Sequence, residues 1–504
     1  MAIEKSTVHW TKQLAAKSVW MYFLHFFLLV ILAAALLLWD KLEYLDTYMK
    51  THGANYLYAL LCIILFVVIL YVYFIFENKN MLASGKNITL VFAILDLYIL
   101  ISYLLGRFMS IYARPVAFVA LMSLILIGRR EAIFLNIISA LLVFIIDTFA
   151  VDTTTMTECY SSLIISFTSG MFAIFFCEKS RTRFHVILIG IFIVFPIDLV
   201  IFLLELSTFV GKGEVIVGAL SPWQNILTKM GYGLFGGVMS TVFFLTILPI
   251  FEGVFNCLTV FRLREITSPD AKILKRLKDE APGTYNHSMM VAQLAEASAA
   301  AIGENVDYAR AAALYHDVGK LHNPEHFTEN QGEYNLHDEL LPELSADIIR
   351  SHAKDGYTLI RKSHLPDFLA DVALQHHGTL PIRYFYAKAL KLTDGELSIE
   401  DFSYLGPKPQ SKIAAIIMIA DASEAVVRAT GSRSPETAEK AIRGIIEERM
   451  DMEQFSECDI TMVELTKIRQ ALVNALTGVY HHRIKYPNIK YKRNEDGTTK
   501  GENA

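Results

Sequence analysis

The stretch Ala311-Ala-Ala-Leu-Tyr-His-Asp-Val-Gly-Lys320 sets an apolar run directly against a His-Asp pair. Five apolar residues in a row, flanked by polar ones, read as a buried helix. The polar pair at its end then needs a partner, because buried polar groups are costly when left alone. Working outward, apolar residues recur at helical spacing in 288–302, 308–315, 343–352, 366–377, 411–429, 435–449 and 461–480. No alternating strand pattern competes, so this half of the chain is expected to be all helix.

Into that scaffold are set His287, His316-Asp317, His352, His376-His377 and Asp421. Each is predicted on a helix or at the end of one, with Gly356 expected to terminate the helix of His352 and Gly378 the helix of the paired histidines. Five imidazoles and two carboxylates suit first-row divalent metals such as Fe, Mn or Zn, with Mn or Fe favoured. Seven ligands exceed what one ion with an open position needs. They suit two ions about 3.5–4 Å apart under a bridging carboxylate, an arrangement used for hydrolysis at phosphorus. Any one of these histidines alone reads as a core or surface residue; the adjacent pairs, in this order, do not. His322, His326, His337, His364, His481 and His482 read as loop, supporting or surface residues.

The other half of the chain belongs in a bilayer. Residues 1–256 carry 16 Lys+Arg and 15 Asp+Glu, against 30 and 36 in the rest. A net charge near −6 on the soluble half argues against DNA or RNA as a partner. The five cysteines (Cys62, Cys159, Cys177, Cys257 and Cys458) form no Cys-x-x-Cys pair, so neither a disulfide framework nor a zinc ribbon is expected. Spanning helices need roughly 20 apolar residues. Eight candidates stand at 18–39, 56–76, 88–106, 111–128, 132–150, 160–177, 185–206 and 230–250. The first reads as a retained anchor, since no small-residue cleavage site follows its long apolar run.

With the N-terminal segment inside, ten basic residues (Lys5, Lys12, Lys17, Lys79, Lys86, Arg129, Arg130, Lys179, Arg181, Arg183) face the cytoplasm and six (Lys41, Lys50, Arg107, Arg114, Lys212, Lys229) the opposite side. Eight crossings also place the soluble half inside, at the cytoplasmic membrane. Asp96, Asp147, Asp198 and Glu205 fall in or beside spans; with no basic partner evident, they read as residues near helix ends. The organisation expected is a membrane bundle over 1–250, a connector over 251–282 with a helix start at Ser268-Pro269-Asp270, a helical domain over 283–487 and a flexible tail over 488–504. A homodimer through the membrane helices fits this layout, although no GxxxG-type pattern marks one.

At His316-Asp-Val-Gly-Lys320 the chain resembles the HD superfamily of phosphohydrolases. Ala281-Pro-Gly-Thr-Tyr-Asn-His287, Glu329-Asn-Gln331, Asn335-Leu-His337-Asp338, Ser345-Ala-Asp-Ile-Ile, His352-Ala-Lys-Asp-Gly356, Gln375-His-His-Gly378 and Tyr480-His-His-Arg-Ile-Lys-Tyr-Pro487 are similar to one branch of it. That branch is the bacterial 7TM-receptor family with an intracellular HD hydrolase, whose PgpH-type members cleave cyclic di-AMP to the linear dinucleotide pApA. The resemblance implies a two-metal phosphodiesterase in the cytoplasm. One ion would be held by His287, His316, Asp317 and Asp421, and the other by His352, His376 and His377 with Asp317 as the bridge. It implies catalytic roles for Asp317 and for Lys320, which would meet a phosphate oxygen or protonate the leaving oxygen. Substrate contacts are expected at Asn330, Gln331, Asn335 and His337.

Family members usually carry a large extracellular domain after the first span, where this chain has only Asp40–Asn55. Cyclic di-GMP is the nearest rival substrate, but the Gly-Tyr-Pro signature of its hydrolases is missing and Gly378 stands where they have Glu. Another nucleotide phosphohydrolase, an inactive receptor or scaffold, and a transporter with a regulatory domain are weaker readings.

Overall fold

The computed structural model describes residues 12–150, 155–180, 182–212, 222–332, 334–392, 396–430, 434–479, 489–493 and 499–503. The chain divides into two compact units, Met1–Arg264 and Glu265–Ala504. The first contains α1 (Lys12–Leu38), α2 (Leu45–Glu77), α3 (Lys79–Ala83), α4 (Gly85–Phe108), α5 (Phe118–Leu126), α6 (Arg129–Ala150), α7 (Met156–Cys177), α8 (Arg183–Lys212) and α9 (Pro222–Val254). Next comes α10 (Val260–Ile266), and then, in the second unit, α11 (Lys272–Glu280), α12 (Pro282–Ile302), α13 (Val306–Tyr315), α14 (Pro342–Lys362), α15 (Asp367–Gln375), α16 (Arg383–Leu390), α17 (Lys412–Thr430), α18 (Pro435–Asp451) and α19 (Met462–Val479). An antiparallel ribbon pairs Ile489–Arg493 with Thr499–Asn503, in a stretch where the sequence predicts no regular structure. Residues 480–488, including His481 and His482, lie outside the described residues.

Seven described helices are long and apolar enough to cross a membrane. The stretch expected as the fourth of eight spans, 111–128, is instead a 3-10 turn (Ile111–Ala113), an extended link and the nine-residue α5. It nevertheless recrosses the bundle. Asn78, shortly before α4, donates to Glu131 at the start of α6 at 2.6 Å. At the far end, Arg114 Nε donates to the Ser102 carbonyl late in α4 at 2.9 Å, and Arg114 Nη2 meets Asp147 Oδ1 late in α6 at 2.6 Å. The two helices therefore run parallel, and residues 109–128 must return the chain between them. Laid end to end, the 3-10 turn, the short link through extended Arg114 and the nine-residue α5 reach roughly 30 Å, about the thickness of the hydrocarbon core. Irregular backbone at that depth survives only when protein covers it. Ile111 to Met122 are all buried, and the Ala117 N–H finds the Ser240 hydroxyl at 3.2 Å.

Arg114, counted from sequence as a loop charge, is thus interior, and Lys229, counted the same way, is half-buried. Arg114 and Asp147 are both about 1% exposed and form a two-pronged ion pair. Lys229 bridges Glu205 at 3.0 Å and Glu158 at 3.1 Å. Asp147 and Glu205 therefore have the basic partners that spacing along the chain did not reveal, because the partners come from distant elements.

In the second unit α12 is central, packed on α13, α17 and α19. Ala309, Ala311, Ala312 and Ala313 on α13 are fully buried, and side chains this small let the two helix backbones approach closely. The Ser268-Pro269-Asp270 stretch is a turn rather than a helix start: Asp270 N–H bonds Ser268 Oγ, Ala271 N–H bonds the Ser268 carbonyl, and α11 begins at Lys272.

Candidate metal centre

Six elements converge on one buried cluster. His287 comes from α12, His316 caps α13, Asp317 opens the following 3-10 turn, His352 lies in α14, His376-His377 follow α15 and Asp421 lies on α17. Gly356 does not end the helix of His352. It sits inside α14, packed on Gly319 of the His-Asp turn. Gly378 does close the turn after the paired histidines, at φ +52°.

Asp317 occupies the middle with one oxygen toward each group of imidazoles. Oδ2 lies 3.3 Å from His316 Nε2 and 3.7 Å from His287 Nε2; Oδ1 lies 3.3 Å from His352 Nε2 and 3.6 Å from His376 Nε2. Asp421 Oδ1 is 2.9 Å from His287 Nε2, and its Oδ2 is 4.0 Å from His377 Nδ1. Three groups of ligand atoms lie within 4.8 Å of one another: His287, His316 and Asp317; His352, His376 and His377; His316, His376 and Asp421.

The ring orientations follow from the outer nitrogens. His316, His352 and His376 each donate Nδ1–H to the carbonyl three residues earlier, at 2.7, 2.6 and 2.8 Å. His287 Nδ1 faces Glu424 Oε2 at 2.7 Å instead. In the first three the Nε2 lone pair is left pointing inward, the tautomer a metal ligand needs, and in His287 the Nε2 points inward too, at Asp421. His377 is held by stacking on Tyr404, with ring centroids 4.3 Å apart.

Electrostatics fit cation binding. Burial holds His352 down at about 3 and His377 well below its usual range, so both stay neutral imidazoles. Burial would raise the carboxyl of Asp317, but His316 and Lys320 outweigh it and keep it ionised; His287 does the same for Asp421. Burial also lowers His287, yet Asp421 and Glu424 prevail and lift it to about 10. These acids hold a proton where a cation would serve equally. His316 Nε2 and Asp317 Oδ1 are buried without a hydrogen-bond partner among the described residues. Orphaned inward-facing donor atoms amid this His/Asp set fit a metal site.

Lys320 Nζ lies 2.7 Å from Asp317 Oδ2 and 2.8 Å from Glu329 Oε1. Burial disfavours its charge, but the two carboxylates more than compensate and hold it above the ordinary lysine value. It therefore keeps its proton firmly. Glu329 also accepts from Thr284 Oγ1 at 2.9 Å, which ties the loop after the His-Asp turn to α12. Asn330 makes the same tie through both ends of its amide, to the Thr284 N–H at 3.1 Å and Thr284 Oγ1 at 2.9 Å. Gln331 bonds Asn335, whose Oδ1 accepts the His337 N–H, and His337 Nε2 donates to the His326 carbonyl at 2.8 Å. These four residues brace the loop through one another and its neighbours. Glu424 and Tyr404 are not singled out by the sequence, and Glu329 stands only within the Glu329-Asn-Gln331 motif, with no role assigned. Glu424 was readable, three residues after Asp421 on the same helix face; Glu329 and Tyr404 carry no spacing signal.

The sequence matches the HD domain family over residues 284–426 and the family of 7TM receptors with an intracellular HD hydrolase over residues 54–259. It is 37% identical to the cyclic-di-AMP phosphodiesterase PgpH of Bacillus subtilis, over 86% of this chain and 60% of that protein. It is 45% identical to PgpH of Listeria monocytogenes, over 53% of this chain and 37% of that one. The crystal structure of the Listeria PgpH HD domain is 46% identical, with a TM-score of 0.41, over 42% of this chain and all of that one. The chain thus spans less than two thirds of the length of these curated relatives. Its membrane region is thus similar to the family of 7TM receptors with an intracellular HD hydrolase, and its helical domain to the HD domain family.

Proposed function

We propose that this chain is a membrane-bound phosphodiesterase that hydrolyses cyclic di-AMP to pApA. The observation that carries the reading is Asp317, whose two carboxylate oxygens each face a separate group of imidazoles, as a bridging ligand requires. The names of its PgpH relatives supply the substrate. His287, His316, Asp317 and Asp421 would hold one divalent ion, and His352, His376, His377 and Asp317 the other; Mn or Fe suits this mixture of imidazole and carboxylate. Such ions, when bound, acidify a water and neutralise phosphoryl oxygens. Water adds to one phosphodiester, the P–O3′ bond breaks, and the 3′ oxygen leaves with a proton.

The chain's own part is placement and charge. Nδ1 contacts fix the ligand rings before substrate arrives, so little ordering is needed during reaction. Lys320, held charged by Asp317 and Glu329, serves as an electrostatic partner for a phosphate oxygen rather than as a proton donor.

The recrossing by residues 109–128 makes the crossings even in number, which returns the HD domain to the side of the N-terminal segment. The excess of Lys and Arg beside that segment makes this the cytoplasm. Reporter fusions after residue 504 and before residue 12 should both report cytoplasmic placement; opposite placement would remove the topology. Purified full-length protein loaded with Mn²⁺ should convert cyclic di-AMP to pApA and lose that turnover on Asp317→Ala substitution. Preference for cyclic di-GMP would assign a different substrate, and no turnover in metal-loaded protein would refute the phosphodiesterase reading.

A further inference from the structure

The two ligand groups around Asp317 differ in charge. His287 and His316 stand with Asp421 and share Asp317, and Glu424 lies directly behind His287 at 2.7 Å. His352, His376 and His377 share Asp317 but have backbone carbonyls or an aromatic ring behind them. Glu424 is itself buried, its side chain 6% exposed, and it lies one helical turn beyond Asp421 on α17. Its other oxygen faces Arg428 at 3.8 Å, at the next turn of the same helix. A single helix face therefore supplies a ligand and also the carboxylate that orients a ligand on α12.

A carboxylate behind an imidazole fixes the ring and raises its basicity more than a neutral carbonyl does. Each added negative charge near a site also strengthens its hold on a divalent cation. Resting on the two-metal reading above, we propose that Glu424 is a positioning residue: through His287 it makes the His287–His316–Asp421 position the tighter of the two. That position fills first and retains its ion, while the histidine-rich position exchanges its ion.

The test is a calorimetric titration of Mn²⁺ into chelator-stripped full-length protein. Wild-type protein should bind in two steps whose affinities differ by about tenfold or more. Glu424→Gln keeps an acceptor for His287 Nδ1 and removes only the charge; it should weaken the tight step by about tenfold and leave the weak step unchanged. Glu424→Ala should weaken that step by up to about 100-fold. His376→Ala should remove the weak step and spare the tight one. If Glu424→Ala does not fold, as judged by circular dichroism, the Gln variant decides alone. Two equal steps in wild type, or a Glu424→Gln variant in which neither or both steps shift, would overturn the assignment to Glu424. Wild-type protein that binds no Mn²⁺ would instead overturn the two-metal reading beneath it.

Discussion

Gly319 and His352 touch backbone to backbone: a Cβ on Gly319 would lie 1.9 Å from the His352 carbonyl oxygen. This contact seats the turn that carries Asp317 and Lys320 on α14, the helix that carries His352. Gly319→Ala must push these two elements apart. We expect a loss of about 2–3 kcal/mol, the upper range for overpacking, together with loss of bound metal. Gly356, across the same contact, behaves differently. A Cβ there meets its nearest neighbour, the Gly319 nitrogen, at 3.3 Å, and Ala favours a helix interior over Gly by up to about 1 kcal/mol. Gly356→Ala should therefore change stability by under about 1 kcal/mol. Thermal melts and elemental analysis of both variants check the contrast.

Lys320 and Glu329 form a buried pair, with side chains 12% and 11% exposed. Removing one partner of such a pair leaves a charge without compensation and costs about 3–5 kcal/mol. Lys320→Met should thus destabilise the protein more than the double variant Lys320→Met/Glu329→Gln, in which Glu329 is also neutral. A double-mutant cycle on metal-free protein measures this coupling. Additive effects would mean that the pair does not interact.

The same logic applies in the membrane unit to Arg114 and Asp147. Arg114→Leu or Asp147→Leu alone should cut the yield of folded protein sharply, since each leaves a lone buried charge. The double Leu variant should recover part of the loss. Size-exclusion profiles in detergent distinguish these outcomes, and a double variant worse than either single would show that Arg114 acts mainly through its bond to the Ser102 carbonyl.

Much of this was legible in the sequence because its signals are local. The apolar run Ala311–Tyr315, the adjacent His-Asp and His-His pairs and the spacing of the soluble helices each state their own case. The seven ligand candidates do converge, and the fold is helical as expected. What stayed hidden depends on distant packing. Gly356 reads as a helix terminator until Gly319 is seen beside it. Arg114 reads as a loop charge until Asp147, 33 residues away, is brought to it. Residues 111–128 read as an ordinary span because composition cannot distinguish a straight helix facing lipid from a broken segment wrapped in protein. The tie of the Asn330 amide to Thr284, 46 residues away, carries no signal along the chain.

The bridging role of Asp317 is the claim on which the rest depends. Asp317→Asn preserves the side-chain shape and removes the charge between the two imidazole groups. Elemental analysis of purified full-length protein, paired with cyclic di-AMP turnover, tests it most directly. The account predicts about two metal ions per chain in wild type and fewer than one in Asp317→Asn, with hydrolysis abolished. A variant that keeps both ions and its turnover would contradict it.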